Sequence, residues 1–196
     1  MVNSNDIISF LDKEKKCNQK ISEKHEEIKK IIDILITARD SGNSIYVMGN
    51  GGSGSTASHF VSDLLKTAIL KNKNRFKAIS LVDNIPVMLA WSNDTSFDDI
   101  FQQQLVNYLH DGDVVIAFSG SGNSKNILKA LKYCSKFNVV SIGFSGSTGG
   151  KMKKLCTMCL TVPSADMLLI ESSHVVICHC IISYIRNKGI PQFKYE

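Results

Sequence analysis

The first forty residues are rich in charge, but isoleucine and leucine recur among them at the three- and four-residue spacing of an amphipathic helix. This pattern predicts one or two helices between residues 5 and 40. The Asp-Ser-Gly-Asn sequence at residues 40–43 ends the pattern, because glycine and asparagine favour the conformation that terminates a helix. Residues 1–40 are therefore predicted to form a helical N-terminal segment.

Beyond residue 43, short apolar runs alternate with stretches of helical periodicity. Strands are predicted at Ser44–Met48, Phe76–Leu81, Val114–Phe118, Val139–Phe144 and Cys159–Val162. Helices are predicted at Ser55–Leu70, Ile85–Ser92, Ser96–Leu109, Ser124–Phe137 and Leu168–Arg186, before a frayed polar tail at Asn187–Glu196. This alternation indicates an α/β fold with a mainly parallel sheet and helices on both faces. No repeat or linker interrupts it, so one domain is expected, with a sheet core at 41–188 and a tail at 189–196.

Two loops rich in glycine and serine each follow a predicted strand and precede a predicted helix. The first reads G-N-G-G-S-G-S at residues 49–55, and the second reads S-G-S-G-N-S at residues 119–124. In parallel α/β sheets, ligands bind beyond the carboxyl ends of the strands, where both loops fall. Glycines allow close backbone approach, hydroxyls donate hydrogen bonds, and helix N-termini attract anions. The loops therefore predict a site for a small phosphorylated ligand, with Ser119, Ser121 and Ser124 around the phosphate.

Two common nucleotide-binding motifs do not fit these loops. Gly49, Gly51 and Gly54 have the G-x-G-x-x-G spacing, but no acidic residue ends a second strand about 20 residues later to bind a ribose. No Gly-Lys-Ser/Thr sequence follows either loop, which excludes a P-loop.

Composition narrows the class of partner. The 196-residue chain carries a formal net charge of +5, spread along the sequence without a basic–aromatic array, so no nucleic-acid partner is expected. On sequence alone, no apolar run reaches the roughly 20 residues of a membrane span and no signal-peptide core is recognised, so we expect no membrane partner and a cytoplasmic location. The cysteines are then expected to be reduced thiols, mostly in the core: Cys17, Cys134, Cys156, Cys159, Cys178 and Cys180.

Ionisable side chains in two predicted helices suggest a metal site. His59 and Asp63 are four residues apart and share one helix face, and the apolar final helix carries Glu171 and His179. Such a mixed nitrogen and oxygen set suits zinc. Residues eight apart on a helix are separated by about 12 Å, so Glu171 and His179 would share an ion only if the first turn were irregular. His174 is interpreted as a hydrogen-bonded core residue, and His25 and His110 as solvated.

The combined motifs resemble the sugar isomerase (SIS) domain and, within it, the bacterial phosphoheptose isomerases. The resemblance rests on G-N-G-G-S-G-S-T-A-S-H-F-V-S-D at 49–63 and S-G-S-G-N-S-K-N at 119–126. It extends to W-S-N-D at 91–94, G-G-K-M at 149–152 and E-x-x-H-x-x-x-x-H at 171–179. It therefore covers nearly the whole chain.

This resemblance implies a three-layer α/β/α fold with a five-stranded parallel sheet, and a homotetramer with active sites between subunits. The implied reaction converts D-sedoheptulose 7-phosphate to D-glycero-D-manno-heptose 7-phosphate, towards the heptoses of lipopolysaccharide and other surface glycans. The implied substrate-binding positions are Asn50, Gly51, Gly52, Ser53, Asp63, Asn93, Asp94, Ser119, Gly120, Ser121, Ser124 and Glu171. The implied zinc ligands are His59, Asp63, Glu171 and His179, and the implied acid–base pair is Asp63 and His179.

Two positions depart from the family pattern. Asp63 stands where members typically carry glutamate, and Glu171 stands where they typically carry glutamine. Our hypothesis is that the two changes compensate, with Glu171 taking over metal ligation or part of the base role. They also leave open a related ketose phosphate as substrate.

Three other interpretations stay open at this stage. Some SIS proteins bind the replication initiator without known isomerase activity, and others are phosphosugar-sensing regulators, although residues 1–40 show no convincing helix-turn-helix. The third is a zinc ribbon built on the C-x-x-C of Cys156 and Cys159 with Cys178 and Cys180, whose C-x-C spacing is poor for it.

Overall fold

The structure is a computed structural model that describes residues 3–193; residues 1 and 2 of the N-terminal segment and residues 194–196 of the predicted tail lie outside the described residues. Its helices are α1 (Ser4–Ser22), α2 (His25–Ser41), α3 (Gly52–Ser62), α4 (Ile85–Asp94), α5 (Gln102–Tyr108), α6 (Lys125–Cys134) and α7 (Met167–Arg186). Its strands are β1 (Ser44–Gly49), β2 (Lys77–Ser80), β3 (Val114–Ser119), β4 (Val140–Ser145) and β5 (Met158–Thr161). A π-helical turn at Asp63–Thr67 follows α3, and short 3-10 turns lie at Phe97–Asp99 and Met152–Lys154.

The five strands form one parallel sheet in the order β2-β1-β3-β4-β5. After β1 the chain adds β2 on one side, and it then returns to place β3 on the other side of β1. The strand order therefore reverses between β1 and β3, and their carboxyl ends flank the crevice where parallel α/β sheets bind ligands. The predicted α/β class with a parallel sheet is confirmed.

Two apolar layers pack against the faces of the sheet. Ile45, Val47 and Ile116 point to one face, where they meet buried residues of α2, α3 and α7. Tyr46 and Val115 point to the other face, which α5 and α6 cover. Alternate residues of a strand face opposite sides, so both layers follow directly from the apolar runs of β1 and β3.

The C-terminal residues up to Phe193 do not fray, contrary to the prediction. The Lys71 amide donates to the Ile190 carbonyl at 2.8 Å, and the Gln192 amide donates to the Ile69 carbonyl at 2.9 Å. Leu70 and Pro191 form an antiparallel bridge between these bonds. The polar composition of the tail concealed this pairing, because main-chain hydrogen bonds depend little on side-chain type.

Helix α7 corrects a second expectation. Judged by length and composition alone, this 20-residue helix is long and apolar enough to cross a membrane. Half of its apolar window is buried within the fold, where α7 packs against α1 and α3. The buried helix of a packed core passes the same test, so the apolarity of α7 is explained by the face that it turns to the sheet.

His174 of α7 is fully buried between Phe118 and Phe144, at ring-centroid distances of 5.7 and 6.1 Å. Its burial was predicted, but neither ring nitrogen has a hydrogen-bond partner among the described residues. Burial lowers the pKa of His174 from 6.5 to about 4, and the Ser145 main chain opposes this shift without reaching full hydrogen-bond geometry. The ring is therefore neutral in the folded protein.

We expect this burial to make the fold sensitive to acid. Below pH 6.5 the unfolded chain binds a proton that the folded chain does not bind until about pH 4, so stability falls over this range. The loss from His174 amounts to about 3 kcal/mol between pH 7 and pH 4. Urea unfolding at several pH values measures it, and His174→Leu should flatten the dependence, whereas exposed His110→Gln should not. An unchanged slope in His174→Leu would contradict this account.

Candidate active site

The two glycine- and serine-rich loops meet at the carboxyl ends of β1 and β3. Between them lies a cavity of about 270 Å³, closed on one side by Met167 at the start of α7. The predicted substrate and phosphate positions that line it are Asn50, Gly51, Gly52, Ser53, Ser119, Gly120, Ser121, Ser124 and Glu171. The structure therefore brings both loops and the first turn of α7 to one crevice.

The first loop leads directly from β1 into α3. Gly51 adopts φ +55° and ψ −126°, a backbone conformation that essentially only glycine reaches. No side chain caps α3; the Gly54 amide donates to the Asn50 carbonyl, so the Gly52 and Ser53 amides are the ones left for an anion. Gly49 lies so close to the Ser53 carbonyl that a Cβ atom at this position would overlap it. The glycines here serve a tight turn and a close helix–strand approach.

The second loop presents hydroxyls to the same crevice. Ser124 precedes α6, but its side chain makes no cap hydrogen bond and its Oγ lies 3.3 Å from Ser119 Oγ. Gly122, at φ +64°, turns the loop back, and its amide donates to the Ser119 carbonyl at 2.9 Å. Its Cα faces the Gly149 carbonyl with no room for a side chain. Gly149 thus packs against the loop at Gly122, while the hydroxyls of Ser119 and Ser124 converge at the start of α6.

A pair of asparagines joins the two loops; the sequence analysis named Asn50 as a substrate-binding position but did not single out Asn126 or this contact. Asn50 Nδ2 donates to Asn126 Oδ1 at 2.9 Å, and Asn126 Nδ2 donates to Asn50 Oδ1 at 2.8 Å. Asn126 is buried, and its Oδ1 also accepts from the Ile127 amide at 2.9 Å. The available signal was its place at the end of the S-G-S-G-N-S-K-N motif, but its partner is 76 residues away in the chain.

On the other side of Gly52 and Glu171 lies a second cavity of about 310 Å³ that reaches His59. Gly52 and Glu171 line both cavities, so they mark the junction between them. The Glu171 carboxylate lies against Gly52 where a Cβ atom would be, so only glycine admits it at this position. A ligand that occupies both cavities passes directly by this carboxylate.

His59, Asp63 and His179 form a compact cluster at the far end. His59 Nε2 lies 3.5 Å from Asp63 Oδ2, His179 Nε2 lies 3.8 Å from the same oxygen, and the two Nε2 atoms lie 3.4 Å apart. The rings are about half exposed, whereas the Asp63 side chain is 15% exposed. Within residues 3–193 this is the one group of three or more potential metal ligands.

The spacing of these atoms fits a metal ion. Ligands around a tetrahedral zinc ion at about 2.0–2.1 Å lie roughly 3.4 Å from one another. The three measured separations are close to that edge length, and the donors are two imidazole nitrogens and one carboxylate oxygen. Three protein ligands with a fourth position open is also the arrangement of catalytic zinc sites.

Glu171 does not join this cluster, in contrast to the four-residue ligand set implied by the resemblance. It lies two turns before His179 on a regular helix, and the rise of about 12 Å separates them. The irregular first turn that would have brought them together is absent from α7 as described. The structure places Glu171 at the junction of the cavities instead.

Asn93 and Asp94 lie elsewhere. They end α4, a helix without a buried residue, and Asn93 Nδ2 donates to Asp94 Oδ1 at 2.8 Å on an exposed surface. Neither residue lines the two cavities of the crevice. Within one subunit the structure therefore does not bring them to the site.

The cysteine-based alternative has no support in the geometry. Cys156 and Cys159 lie against Gly143 of β4 and pack with the apolar layer on one face of the sheet. Cys178 of α7 belongs to the layer on the opposite face, and Cys180, two residues later, is exposed. Among residues 3–193 no metal-ligand group includes these cysteines, so they do not make a zinc ribbon.

These observations define an α/β protein with a crevice suited to an anion beside a candidate metal cluster. Comparison with known proteins identifies the family. The model of the SIS domain matches residues 9–146. The phosphoheptose isomerase of Aneurinibacillus thermoaerophilus is 34% identical over 174 residues, covering 84% of this chain and 87% of that protein. Phosphoheptose isomerase 1 of Campylobacter jejuni subsp. jejuni serotype O:2 is 34% identical over 183 residues, which cover 91% of this chain and 98% of that protein.

A solved structure of a phosphoheptose isomerase from Francisella tularensis superposes with a TM-score of 0.89 at 25% identity, covering 95% of this chain and 100% of that chain. The chain therefore belongs to the SIS-domain family and, within it, to the phosphoheptose isomerases, which are aldose–ketose isomerases.

We expect the asparagine pair to stabilise the crevice. Asn126→Ala removes both reciprocal hydrogen bonds and leaves the Asn50 amide unpaired, at a cost of about 1–3 kcal/mol in the free energy of unfolding. Asn107→Ala is a matched control, since Asn107 makes one exposed bond to the Gln103 carbonyl. Urea unfolding compares the two variants, and an equal cost in both would show that the pair contributes nothing specific.

Proposed function

We propose that the protein interconverts D-sedoheptulose 7-phosphate and D-glycero-D-manno-heptose 7-phosphate, as the resemblance implies. The observation that supports this proposal is that two adjacent cavities share Gly52 and Glu171 as lining residues. One end has serine hydroxyls and helix N-termini suited to a phosphate, and the other end has His59, Asp63 and His179. A phosphorylated sugar that spans the crevice places its phosphate and its carbonyl at opposite ends.

The phosphate end supplies binding and orientation. The Ser119 and Ser124 hydroxyls would donate hydrogen bonds to the phosphate, and the N-termini of α3 and α6 complement its negative charge. Contacts at this remote, unreacting group hold the other end of the sugar in register with the acid–base groups. Glu171, at the junction, is positioned to accept hydrogen bonds from sugar hydroxyls.

Isomerisation moves a proton between adjacent carbons through an enediol. Asp63 and His179 form the proposed proton-transfer pair: one removes the proton beside the carbonyl, and the other exchanges a proton with the oxygen. His179 Nε2 and Asp63 Oδ2 lie 3.8 Å apart, so both groups reach one small region of substrate. A zinc ion held by His59, Asp63 and His179 would act as a Lewis acid that stabilises the enediolate, with one ion per subunit. An atom bound to the ion has no free lone pair for a proton, so Asp63 and His179 would each transfer a proton only while the atom concerned is released from the ion.

A related ketose phosphate is the second candidate substrate, because Asp63 and Glu171 both differ from the usual family residues. Glu171 lines the second cavity, where the reacting end of the sugar would bind, and Asp63 lies 3.5 Å from His59, which also lines it. We propose a cytoplasmic role in the synthesis of surface heptoses. A purely initiator-binding role is not favoured, because such a binder has no need of the His59–Asp63–His179 cluster.

A homotetramer is also part of the proposal. Apolar side chains more than half exposed occur on α1 and α4: Ile7, Ile8, Leu11, Ile85 and Leu89. Exposed apolar clusters on helices are typical of subunit interfaces. Since α4 carries Asn93 and Asp94 and buries no residue of its own, assembly would bring these side chains to a neighbouring subunit's crevice.

Turnover followed by NMR tests the reaction. The wild type should convert sedoheptulose 7-phosphate, but not sedoheptulose, because the latter lacks the group that the serines bind. Asp63→Asn and His179→Gln should each lower kcat at least about 100-fold through the loss of acid–base catalysis.

The surface variants Asp33→Asn and His110→Gln are the matched controls and should retain activity. A panel of other ketose phosphates, with and without zinc, identifies the preferred substrate. Unchanged turnover in both Asp63→Asn and Glu171→Gln would remove carboxylate base catalysis from the mechanism.

Light scattering after size-exclusion chromatography tests the assembly. We expect four times the mass of the chain for the wild type and a smaller species for the double variant Ile8→Asp/Leu11→Asp, because charge disfavours the apolar contact. Lys15→Asp, an exposed change on the same helix, is the control. A monomeric wild type would contradict both the tetramer and an active site shared between subunits.

A further inference from the structure

The helix that carries His59 changes its hydrogen-bond pattern at Asp63. Helix α3 ends at Ser62, and the π-helical turn Asp63–Thr67 begins with the candidate metal ligand itself. The turn closes when the Ala68 amide donates to the Asp63 carbonyl at 2.8 Å, five residues back. Single π-helical turns within helices occur frequently at functional sites.

Within this turn, the Thr67 hydroxyl has a different hydrogen-bond partner from the hydroxyls of three other threonines in the chain. Thr37, Thr56 and Thr95 each donate to the main-chain carbonyl four residues back, the usual bond of a helical threonine. The equivalent carbonyl for Thr67 belongs to Asp63, and it accepts from Ala68. Thr67 Oγ1 instead donates to the side chain of Asp63, at Oδ1, with a distance of 2.9 Å.

The two carboxylate oxygens of Asp63 consequently have different surroundings. Oδ1 accepts from Thr67, which is half-buried, whereas Oδ2 faces the two imidazoles at 3.5 and 3.8 Å. The terminal torsion of an aspartate is broad, so the carboxylate alone does not hold one orientation. A hydrogen bond to a charged group is stronger than one between neutral groups, so the bond from Thr67 favours one orientation of the carboxylate.

We propose that Thr67 is a positioning residue, which holds Asp63 Oδ1 and thereby presents Oδ2 to an ion shared with His59 and His179. This inference rests on the metal role in the proposed function. It assigns to this chain a support for its shorter carboxylate: aspartate has one methylene less than glutamate and correspondingly less freedom to reach the ion from a misdirected rotamer. Mutation of a residue that hydrogen-bonds a metal ligand typically lowers metal affinity or activity 10–100-fold.

The experiment compares zinc affinity in the full-length wild type with that in Thr67→Val, which keeps the shape and removes the hydroxyl. Competition against a chromophoric chelator should show zinc binding at least about tenfold weaker in Thr67→Val and in Thr67→Ala, with Thr67→Ser within about twofold of the wild type. Thr37→Val is the matched control, because it removes a threonine bond to a helix carbonyl on α2. Its zinc affinity should not change.

A spectroscopic readout separates positioning from stability. The visible absorption of the Co²⁺-substituted protein reports ligand geometry, and it should change in Thr67→Val but not in Thr67→Ser or Thr37→Val. A purely structural role for Thr67 would lower the thermal midpoint and leave both affinity and spectrum unchanged. Thr67→Ala provides the same comparison if Thr67→Val does not fold.

Three results would contradict the proposal or what it rests on, and they are distinguishable. Equal zinc affinity in the wild type, Thr67→Val and Thr67→Ala overturns the role of Thr67 alone. A wild type that binds no zinc overturns the metal site and this inference together. Failure of the zinc-loaded wild type to turn over any ketose phosphate contradicts the proposed function, and the affinity comparison still decides the role of Thr67.

Discussion

Strands β1 and β3 are hydrogen-bonded neighbours although β2 separates them in the sequence, and this adjacency determines the position of every other part of the site. Gly49 pairs with Phe118, so the two strands end in step and release their loops at the same height above the sheet. The loops are then close enough for Asn50 and Asn126 to exchange two hydrogen bonds. With any other strand between them, the hydroxyls of one loop and the helix N-terminus of the other would not face one cavity.

Helix α7 supplies the second half of the site and explains why its apolar sequence contains ionisable residues. One face of α7 packs in the core, where His174 is buried, and its first turns border the crevice with Met167 and Glu171. Two turns later His179 meets His59 and Asp63. A single rigid helix therefore spans the phosphate end and the metal end, and its rise sets the distance between them.

The sequence predicted the α/β class, each strand end to within one residue, and the position of both glycine- and serine-rich loops, because these follow from local periodicity and composition. Contacts between distant segments escaped it: the Asn50–Asn126 pair, and the tail residues bonded to 69–71. The predicted helix Ser55–Leu70 instead begins at Gly52 and ends in a π-helical turn. Glycine is a poor helix former, so tertiary packing, not propensity, starts this helix early.

The paired departures at Asp63 and Glu171 take on a different meaning in three dimensions. Had Glu171 joined the imidazole cluster, a longer carboxylate on one helix would simply have replaced a shorter one on another. However, Glu171 lies against Gly52 at the junction of the two cavities, and the cluster consists of His59, Asp63 and His179. The loss of a methylene at Asp63 is therefore accommodated on its own helix, where the π-helical turn frees Thr67 to hold the carboxylate. Glu171 lines both cavities and lies outside the ligand cluster, so in the proposed function its effect would fall on substrate recognition and proton transfer, and not on the number of metal ligands.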